Sequence, residues 1–541
     1  MRQTRHRVCT VTVRGPTVRW APLVAAVAVA VALVPGPATA AAECTGTAPC
    51  LLSAGLPAGG DVQGSWLTPD GLRAVFYYDL AGIDELYSVP IRGGTPVKLN
   101  VPVQGSPVTF VAISPDSARV LYRAVAQPGQ PAALFSVPAA GPASASIRLA
   151  DIAPLSSAVR ISPDSRKVVF PPNGRTALRA VPIEGPANAG ARLTDPLVPG
   201  GQIGLFEISA NSASVVYTAD QNTDAVNELY RVPLTLTPAP DPPTTKLNGP
   251  LPAGGRVQAF ELSPDSGPVV YLANQDSATV PELFSVRLGG AGRVKLNPPL
   301  PPDFFVSANT GGPDLVRFAR TPTGFRVIYL TEQDVLNGVN PRQLNSVPVA
   351  GPATASVRLD RLPEAGTNLL EFQASATGRV VYTMARPATT SPARFWLMSV
   401  APEGPASASV AVSFPSESSD RFVLSPDGTR VVWQLGNQLF AIPVAGGTHV
   451  AINGPEVPSV PVLIGGNVSR VLYRATGNTG PELFSAPLNG VGNRFNLTSS
   501  LDLIGFDTGS IALTRAGDVL YSVLHPNGRH HLYSSRLVPP A

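Results

Sequence analysis

The chain has 541 residues, with 40 basic and 36 acidic side chains, and charged residues make up 14% of it. The first 40 residues hold five arginines and no acid, so the rest of the chain carries 35 basic and 36 acidic side chains. A nearly neutral chain gives no electrostatic footprint for nucleic acid or for an anionic membrane surface. Its 50 glycines and 59 prolines indicate many turns between short strands.

The first 40 residues follow the pattern of a bacterial signal peptide. Arginines occupy the start, residues 21–34 form an apolar run too short to cross a bilayer comfortably, and small residues at 38–40 fit a cleavage site. A lipid anchor at Cys44 is the alternative, but Glu43 stands where the lipoprotein pattern needs a small residue. We therefore expect export to the periplasm or the cell exterior, with no transmembrane segment after cleavage.

Two cysteines follow the leader, Cys44 and Cys50, six positions apart. A lone pair in an oxidising compartment predicts a disulfide. The alternative is a metal or redox pair, but both CxxC spacing and a neighbouring histidine are missing. We expect no cofactor and no metal.

Residues 424–453 contain the unit from which most of the chain is built. The Ser-Pro-Asp-Gly sequence at 425–428 favours a tight turn, because proline fixes φ and glycine suits the last position. An apolar run at 431–433 then predicts a strand buried on both faces. With residues 422–424 in front and two strands behind, the unit has four short strands.

The same apolar run, ending in an aromatic residue, occurs ten times. Successive aromatic residues are 40 to 58 positions apart, which is the length of a four-stranded propeller blade and not of a helical repeat. We therefore predict an all-β chain without helices longer than about two turns. The ten aromatic residues are Tyr77, Tyr122, Phe170, Tyr217, Tyr271, Tyr329, Tyr382, Trp433, Tyr473 and Tyr521.

These repeats resemble the bacterial TolB-like β-propeller family, whose unit is WD-like. The resemblance rests on the Ser-Pro-Asp-Gly turn, the Val-Val-Tyr strand and a third strand beginning Glu-Leu, at 85–89, 228–230, 282–286 and 482–485. It covers nearly all of the chain after the leader. It implies an exported β-propeller of about ten four-stranded blades, whereas function by this route is analogy.

Ten blades exceed the usual four to eight in a ring. Either one large ring closes on itself, or two rings follow in tandem with a boundary near 235–313, where proline-rich loops lie. The last repeat ends after its third strand at 531–537, whereas residues 50–60 resemble a fourth strand without a blade. We therefore predict that residues 50–55 pair with residues 532–537.

The sequence offers little catalytic chemistry. It lacks the Gly-x-Ser-x-Gly pattern of hydrolases, and His525, His530 and His531 fall in a hairpin turn without the spacing of a metal site. These absences favour a non-catalytic propeller that binds a protein or a cell-envelope component. The alternatives are an enzyme acting on polysaccharide, as hydrolase or lyase, and a structural or sensory ectodomain.

Acidic residues gather in the loops after the central strand of repeats four to six. Loops on a rigid scaffold commonly carry binding residues, so we expect a basic or cation-bridged partner there; the alternative is a solvated face of mixed charge. The candidate residues are Asp220, Asp224, Glu228, Asp276, Glu282, Glu332 and Asp334. Aspartates of the tight turns, such as Asp116 and Asp164, are interpreted as structural.

Overall fold

The computed structural model describes residue 44 and a series of longer segments. These are 48–103, 108–126, 129–152, 158–172, 174–237, 243–307, 315–333, 341–363, 367–375, 377–386, 393–416, 422–464, 470–476, 480–506 and 511–537, with the backbone alone at 457–464. The predicted signal peptide, residues 1–40, lies outside them.

Antiparallel strands form ten sheets, which we number as blades 1 to 10; β1 (Cys50–Leu51) belongs to the last of them. Blades 1 to 5 comprise β2 (Asp61–Leu67), β3 (Arg73–Leu80), β4 (Ile83–Pro90) and β5 (Val97–Lys98); β6 (Thr109–Ile113), β7 (Arg119–Ala124), β8 (Ala133–Pro138) and β9 (Ile147–Asp151); β10 (Arg160–Ile161), β11 (Lys167–Phe170), β12 (Arg179–Pro182) and β13 (Ala191–Arg192); β14 (Ile203–Ile208), β15 (Ser214–Ala219), β16 (Glu228–Pro233) and β17 (Thr245–Lys246); and β18 (Val257–Leu262), β19 (Pro268–Ala273), β20 (Glu282–Arg287) and β21 (Val294–Lys295).

Blades 6 to 10 repeat the pattern, with the first strand split in two in blades 6 and 10. They comprise β22 (Phe304–Ser307), β23 (Arg317–Thr321), β24 (Gly324–Gln333), β25 (Arg342–Pro348) and β26 (Val357–Arg358); β27 (Asn368–Ala374), β28 (Val380–Arg386), β29 (Arg394–Val400) and β30 (Val410–Ala411); β31 (Phe422–Leu424), β32 (Arg430–Leu435), β33 (Gln438–Pro443) and β34 (Val450–Ala451); β35 (Val457–Ile464), β36 (Arg470–Thr476), β37 (Pro481–Pro487) and β38 (Phe495–Asn496); and β39 (Gly505–Phe506), β40 (Ala512–Leu513), β41 (Asp518–Leu524) and β42 (His530–Arg536).

Helical structure in the described segments is limited to four single turns of 3-10 helix. Each turn follows a cis Gly-Pro bond between the third and fourth strands of blades 2, 3, 6 and 7. Their bounds are Ala143–Ala145, Ala187–Ala189, Ala353–Ala355 and Ala406–Ala408. The prediction of an all-β chain is confirmed.

The blades form one closed ring rather than two. Ten hydrophobic clusters each combine side chains of two neighbouring blades, and one of them joins blade 10 to blade 1. In that cluster, Leu520 and Leu532 of blade 10 pack with Val62 and Phe76 of blade 1. A single sheet cannot bury the side chains on its two faces, so each blade is stable only when it packs between its two neighbours. The structure is therefore a ten-bladed β-propeller.

The second strand of each blade is its most buried element. Its apolar run packs against both neighbouring blades, and its terminal aromatic ring is buried in blades 2 to 10, as for Tyr217 and Tyr382, and partly exposed at Tyr77 in blade 1. Buried tyrosines need a partner for the hydroxyl group: Tyr217 donates to Gln221 at 2.6 Å and Tyr382 donates to Ser409 at 2.9 Å. The repeated aromatic residue of the sequence is thus the centre of each interblade core.

The N-terminal strand completes the last blade, as predicted. In β1, Cys50 lies opposite Ser534 and Leu51 opposite Tyr533 of β42. The predicted disulfide between Cys44 and Cys50 is present, and the backbone N–H of Cys44 donates to Arg92 of blade 1 at 2.8 Å. This segment therefore fastens blade 10 to blade 1.

The tight turns between first and second strands form a ladder around half of the ring. In blades 2 to 5 the fourth turn residue is a serine at positive φ, a conformation that normally favours glycine. Each of these serines accepts a hydrogen bond from the preceding blade; for example, the N–H of Asp116 donates to Ser165 at 2.9 Å. Serine replaces glycine there because its hydroxyl joins two blades.

Candidate functional site

The first strands of the blades converge at the centre of the ring. First strands of blades 3 and 4, 4 and 5, and 8 and 9 contact one another, so their free edges surround the central channel of the propeller. β-Bulges interrupt them in blades 1, 2, 4, 5, 7 and 9. A bulge redirects side chains and is frequent beside binding sites. At two of these bulges, Leu205 and Leu370 are 57% and 39% exposed, so they are available for contact with a ligand.

Four charged residues occupy one register position in the first strands of consecutive blades. Each lies opposite the middle residue of the apolar run in the second strand. Because the register is the same, these side chains share one level of the channel wall. We call them the charged arc: Arg160, Glu207, Glu261 and Arg317 of blades 3, 4, 5 and 6.

The same register position is uncharged in the other six blades. Blade 7 has glutamine there, and the remaining blades have small or apolar residues. Charge on this level is therefore confined to one side of the channel. The residues are Ser65, Ala112, Gln373, Val423, Leu463 and Ala512.

Three residues of the charged arc, Arg160, Glu207 and Glu261, line a cavity of about 380 Å³ between blades 3 to 6. Glu207 accepts a hydrogen bond from the backbone N–H of Leu262 in the next blade at 3.3 Å. The guanidinium of Arg160 lies 5.9 Å from the ring centre of Phe206, and Arg175 donates to the carbonyl of Ile203 at 2.7 Å. The cavity thus combines carboxylates, guanidinium groups and an aromatic ring.

Burial gives the two carboxylates unusual proton affinities. Burial raises the pKa of Glu207, although the Leu262 N–H and Arg160 act in the opposite direction. For Glu261, burial and then the charge of Glu207 raise the pKa to about 7, against the smaller effects of a backbone hydrogen bond and Arg317. Glu261 therefore keeps its proton up to about pH 7, because burial and the neighbouring charge of Glu207 oppose its ionisation.

Replacing Glu261 by glutamine should stabilise the protein at pH 8 and have little effect at pH 5. The folded-state pKa of about 7 lies above the usual 4.5. The unfolded chain therefore releases its proton first, and stability falls as pH rises between these values. Glutamine removes that loss, which is about 1 to 2 kcal/mol after allowance for solvent screening. Urea unfolding at both pH values measures it, and an equal effect at pH 5 and pH 8 would contradict the assignment.

The acids predicted to bind a partner lie elsewhere, and several are paired within their own blades. Glu228 is buried, accepts a hydrogen bond from Tyr230 at 2.6 Å and forms an ion pair with Lys246. Blade 1 has the same arrangement, with Glu85 paired to Lys98. In these two blades the Glu-Leu motif of the third strand therefore marks an internal ion pair to the fourth strand.

Blades 5 and 6 pair three further acids. Lys295 forms ion pairs with both Glu282 and Asp276, at 3.2 Å for the second. Glu332 is buried beside Arg342, whose Nε is 3.6 Å from its carboxylate. Two basic side chains therefore pair with these three acids, so most of their negative charge is balanced within the protein itself.

Asp220 and Asp224 lie in the loop between the second and third strands of blade 4. Asp220 accepts hydrogen bonds from the backbone N–H groups of Gln202 and Ala225 and so shapes the loop. Asp224 is exposed. Asp334 lies outside the described residues. Partner binding by this set stays a prediction.

Among the described residues, no group of three or more His, Cys, Asp and Glu side chains is placed to hold a metal ion. No helix in the described segments is long and apolar enough to cross a membrane.

Comparison with known proteins yields similarity of fold alone. No protein-family model and no curated protein matches the chain. Among solved structures, it is similar to dipeptidyl peptidase 4 of Porphyromonas gingivalis, at 11% identity and a TM-score of 0.46, over 78% of this chain and 64% of that one. It is also similar to a prolyl endopeptidase, at 13% identity and a TM-score of 0.35, over 70% and 54% of the two chains. The match thus spans less than two thirds of either peptidase.

These comparisons correct the functional expectation from the sequence. Both similar structures are peptidases. The expectation of a non-catalytic propeller came from the missing catalytic motifs; it is contradicted, together with its polysaccharide and ectodomain alternatives. The missing motif excluded one kind of serine hydrolase, and a propeller can serve an enzyme without carrying that motif.

Proposed function

We propose that the chain is the peptide-binding propeller of a peptide-hydrolysing system, and that short peptides with a free amino group enter its central channel. The observation that carries the proposal is the charged arc. Two carboxylates stand side by side on the channel wall with an arginine on each flank. A peptide end carries the complementary groups, an ammonium and several carbonyl oxygens.

The chemistry of the arc distinguishes this ligand from others. An ammonium group between Glu207 and Glu261 would form charge-assisted hydrogen bonds and replace the proton that the pair holds. Arg160 and Arg317 have donors only and would bind peptide carbonyls or a carboxylate. A polyanion would be repelled by the two glutamates. A neutral ligand would offer the charged groups of the arc no ionic partner.

The backbone of the channel wall suits an extended peptide. First strands are edge strands, whose outer N–H and C=O groups point away from their own sheet. A peptide can pair with such an edge as an added strand, gaining main-chain hydrogen bonds while its end reaches a specific pocket. The exposed leucines at the bulges of blades 4 and 7 add apolar contacts on the same wall.

Isothermal titration calorimetry with tetraalanine tests the proposal. We expect Glu207→Gln and Glu261→Gln each to weaken binding by about tenfold or more, because each removes one side of a charge-assisted contact. N-acetylation of the peptide should have the same effect on the unaltered protein. Glu371→Gln is the matched control, since Glu371 lies on the first strand of blade 7 outside the arc. Equal affinities for the free and acetylated peptides would refute the proposal.

A second candidate function is hydrolysis of the bound peptide by the carboxylate pair itself. It is favoured by the proton affinity of Glu261, whose pKa of about 7 would let it act as a proton donor near neutral pH. Mass spectrometry of the incubated peptide separates the two candidates. Cleavage lost in Glu207→Gln and Glu261→Gln supports hydrolysis on the arc; binding without cleavage supports a binding role beside a separate catalytic unit.

The TolB-like identity of the repeats, the signal peptide and export belong to the same proposal. The disulfide supports them because a bond between Cys44 and Cys50 persists in an oxidising compartment. N-terminal sequencing of the protein recovered from outside the cytoplasm tests cleavage before Ala41.

A further inference from the structure

A pocket lies at the seam where the N-terminal segment meets blade 10. It has a volume of about 490 Å³ and is walled by the loop at 51–60 and the turn between β41 and β42. The loop contains Gly55 and Gly59 at positive φ, which lets its backbone bend closely around the pocket. Side chains of Tyr78, Arg529 and His531 complete the wall.

Arg529 supplies a guanidinium that is not balanced by a carboxylate. Its Nη1 atom is buried and has no hydrogen-bond partner among the described residues. No ion pair joins Arg529 to an acid in that part of the chain either. The guanidinium rests against Gly59, where an added Cβ atom would be 3.2 Å from Nη1. A buried cationic donor without a partner is costly unless something occupies it.

The titratable side chains around Arg529 are mainly histidines and tyrosines rather than acids. His525 and His531 have ring centres 4.9 Å apart, and the hydroxyl of Tyr533 bonds His525 at 3.0 Å. Asp61 is the acid whose charge acts on His531; it already accepts a hydrogen bond from the backbone N–H of His530 and lies 3.4 Å from the His530 ring.

The hydroxyl group of Tyr78, which also lines the pocket, already donates a hydrogen bond to the carbonyl of Pro57. Burial and then His525 lower the pKa of His531; Asp61 opposes them, and Arg529 and His530 add smaller lowering effects. The pocket is therefore a concave site with unbalanced positive charge.

We propose that this seam pocket binds a compact oxyanion, a carboxylate or a phosphate, through Arg529 and His531. Guanidinium groups bind both kinds of oxyanion by paired N–H donors. Because one wall of the pocket is the N-terminal loop and the other is blade 10, the bound anion holds the closing segment in place. The site is separate from the channel and does not depend on the proposed peptide binding.

The pocket also predicts how anion binding depends on pH. A bound anion favours protonated His531, whereas the neighbouring cations oppose it. Binding therefore takes up a proton, and affinity rises as pH falls from 7.5 to 6. Glu207 and Glu261 play no part in this dependence, because they lie on the first strands of blades 4 and 5.

Thermal unfolding and calorimetry of the full chain test the site, with sodium phosphate and sodium acetate as probes and sodium chloride at equal ionic strength as reference. We expect phosphate or acetate to raise the melting temperature by a few degrees, more at pH 6 than at pH 7.5. Arg529→Gln should abolish this shift. Arg515→Gln is the matched control, because Arg515 is an exposed arginine at the opposite end of β41.

The outcomes separate the sources of the oxyanion. A shift that depends on Arg529 with acetate alone identifies a carboxylate ligand, and one with phosphate alone identifies a phosphate ligand. If Arg529→Gln does not fold, Arg529→Lys keeps the charge but loses the paired donors, and calorimetry should give about tenfold weaker binding. The proposal is overturned if neither anion stabilises the protein, or if the shift is equal in the Arg529 variants and the Arg515 control.

Discussion

Replacing Trp433 by alanine is expected to lower the free energy of unfolding by about 3 to 5 kcal/mol. The indole is completely buried in the second strand of blade 8. It stacks on Phe440 with ring centres 5.2 Å apart and meets His449 edge-on at 5.6 Å. The same cluster contains Val381 and Leu397 of blade 7. Alanine would therefore leave a cavity between two blades, and the neighbouring strands cannot close it without losing their pairing.

Denaturant unfolding of Trp433→Ala measures this loss, with Trp433→Phe as the matched control. The indole Nε1 has no hydrogen-bond partner in the described part of the chain, so phenylalanine removes ring volume without breaking a bond. We expect the control to lose less than half as much stability as alanine does. A loss below about 1 kcal/mol for alanine would contradict the observed packing, since burial of this size cannot cost so little.

Removing all residues before Gly60 should open the ring and make the protein aggregate. The truncation deletes β1, which pairs with β42, and the buried Leu52, which packs with Leu532 in the cluster between blades 10 and 1. It also deletes the Cys44 contact to Arg92. Blade 10 would then present an unpaired strand edge, which invites association with another chain.

Size-exclusion chromatography with light scattering, followed by thermal unfolding, compares the truncated chain with the full one. The matched control keeps β1 and replaces both Cys44 and Cys50 by serine, which removes the covalent bond but not the strand. We expect the control to remain monomeric with a lower melting temperature, and the truncated chain to aggregate. A monomeric truncated chain with an unchanged melting temperature would show that β1 does not close the ring.

Much of the fold follows from local sequence signals. The apolar run ending in Tyr217 or Trp433 predicts a doubly buried strand because side chains on both faces are apolar. The pairing of β1 with β42 follows because the last repeat lacks a fourth strand. The choice of one ring instead of two does not follow, because it depends on which blade faces pack together, as Leu520 does with Phe76.

The candidate site could not be found in the same way. Glu207 and Glu261 each stand between a phenylalanine and an aliphatic residue, at 206–208 and 260–262, which looks like ordinary alternation with the acid facing solvent. Only the packing of blade 4 against blade 5 places the two carboxylates together and partly buries them. A signal was present in the shared Phe-Glu-apolar-Ser sequence of two adjacent repeats, once these were aligned on the following strand.

Several acids that the sequence predicted to bind a partner are instead paired with basic residues of their own blade. Glu228 and Glu282 follow variable loops and so resemble binding residues, but lysines of the fourth strands, 18 and 13 positions further on, neutralise them. Sheet pairing brings these residues together, and the spacing varies with the loop between the strands. Loop position alone was therefore a poor guide to which charges are free for a ligand.

Proton release on peptide binding tests the central claim, that the Glu207–Glu261 pair receives the amino end of a peptide. Calorimetric titration of tetraalanine at pH 7, in buffers of different ionisation enthalpy, gives the number of protons exchanged per peptide. Subtracting the result for Glu261→Gln removes the contribution of the peptide's own amine. We predict that the unaltered protein releases up to about one proton more than this variant, since the ammonium displaces the proton held by the pair. Peptide binding with equal proton exchange in the two proteins would contradict the claim.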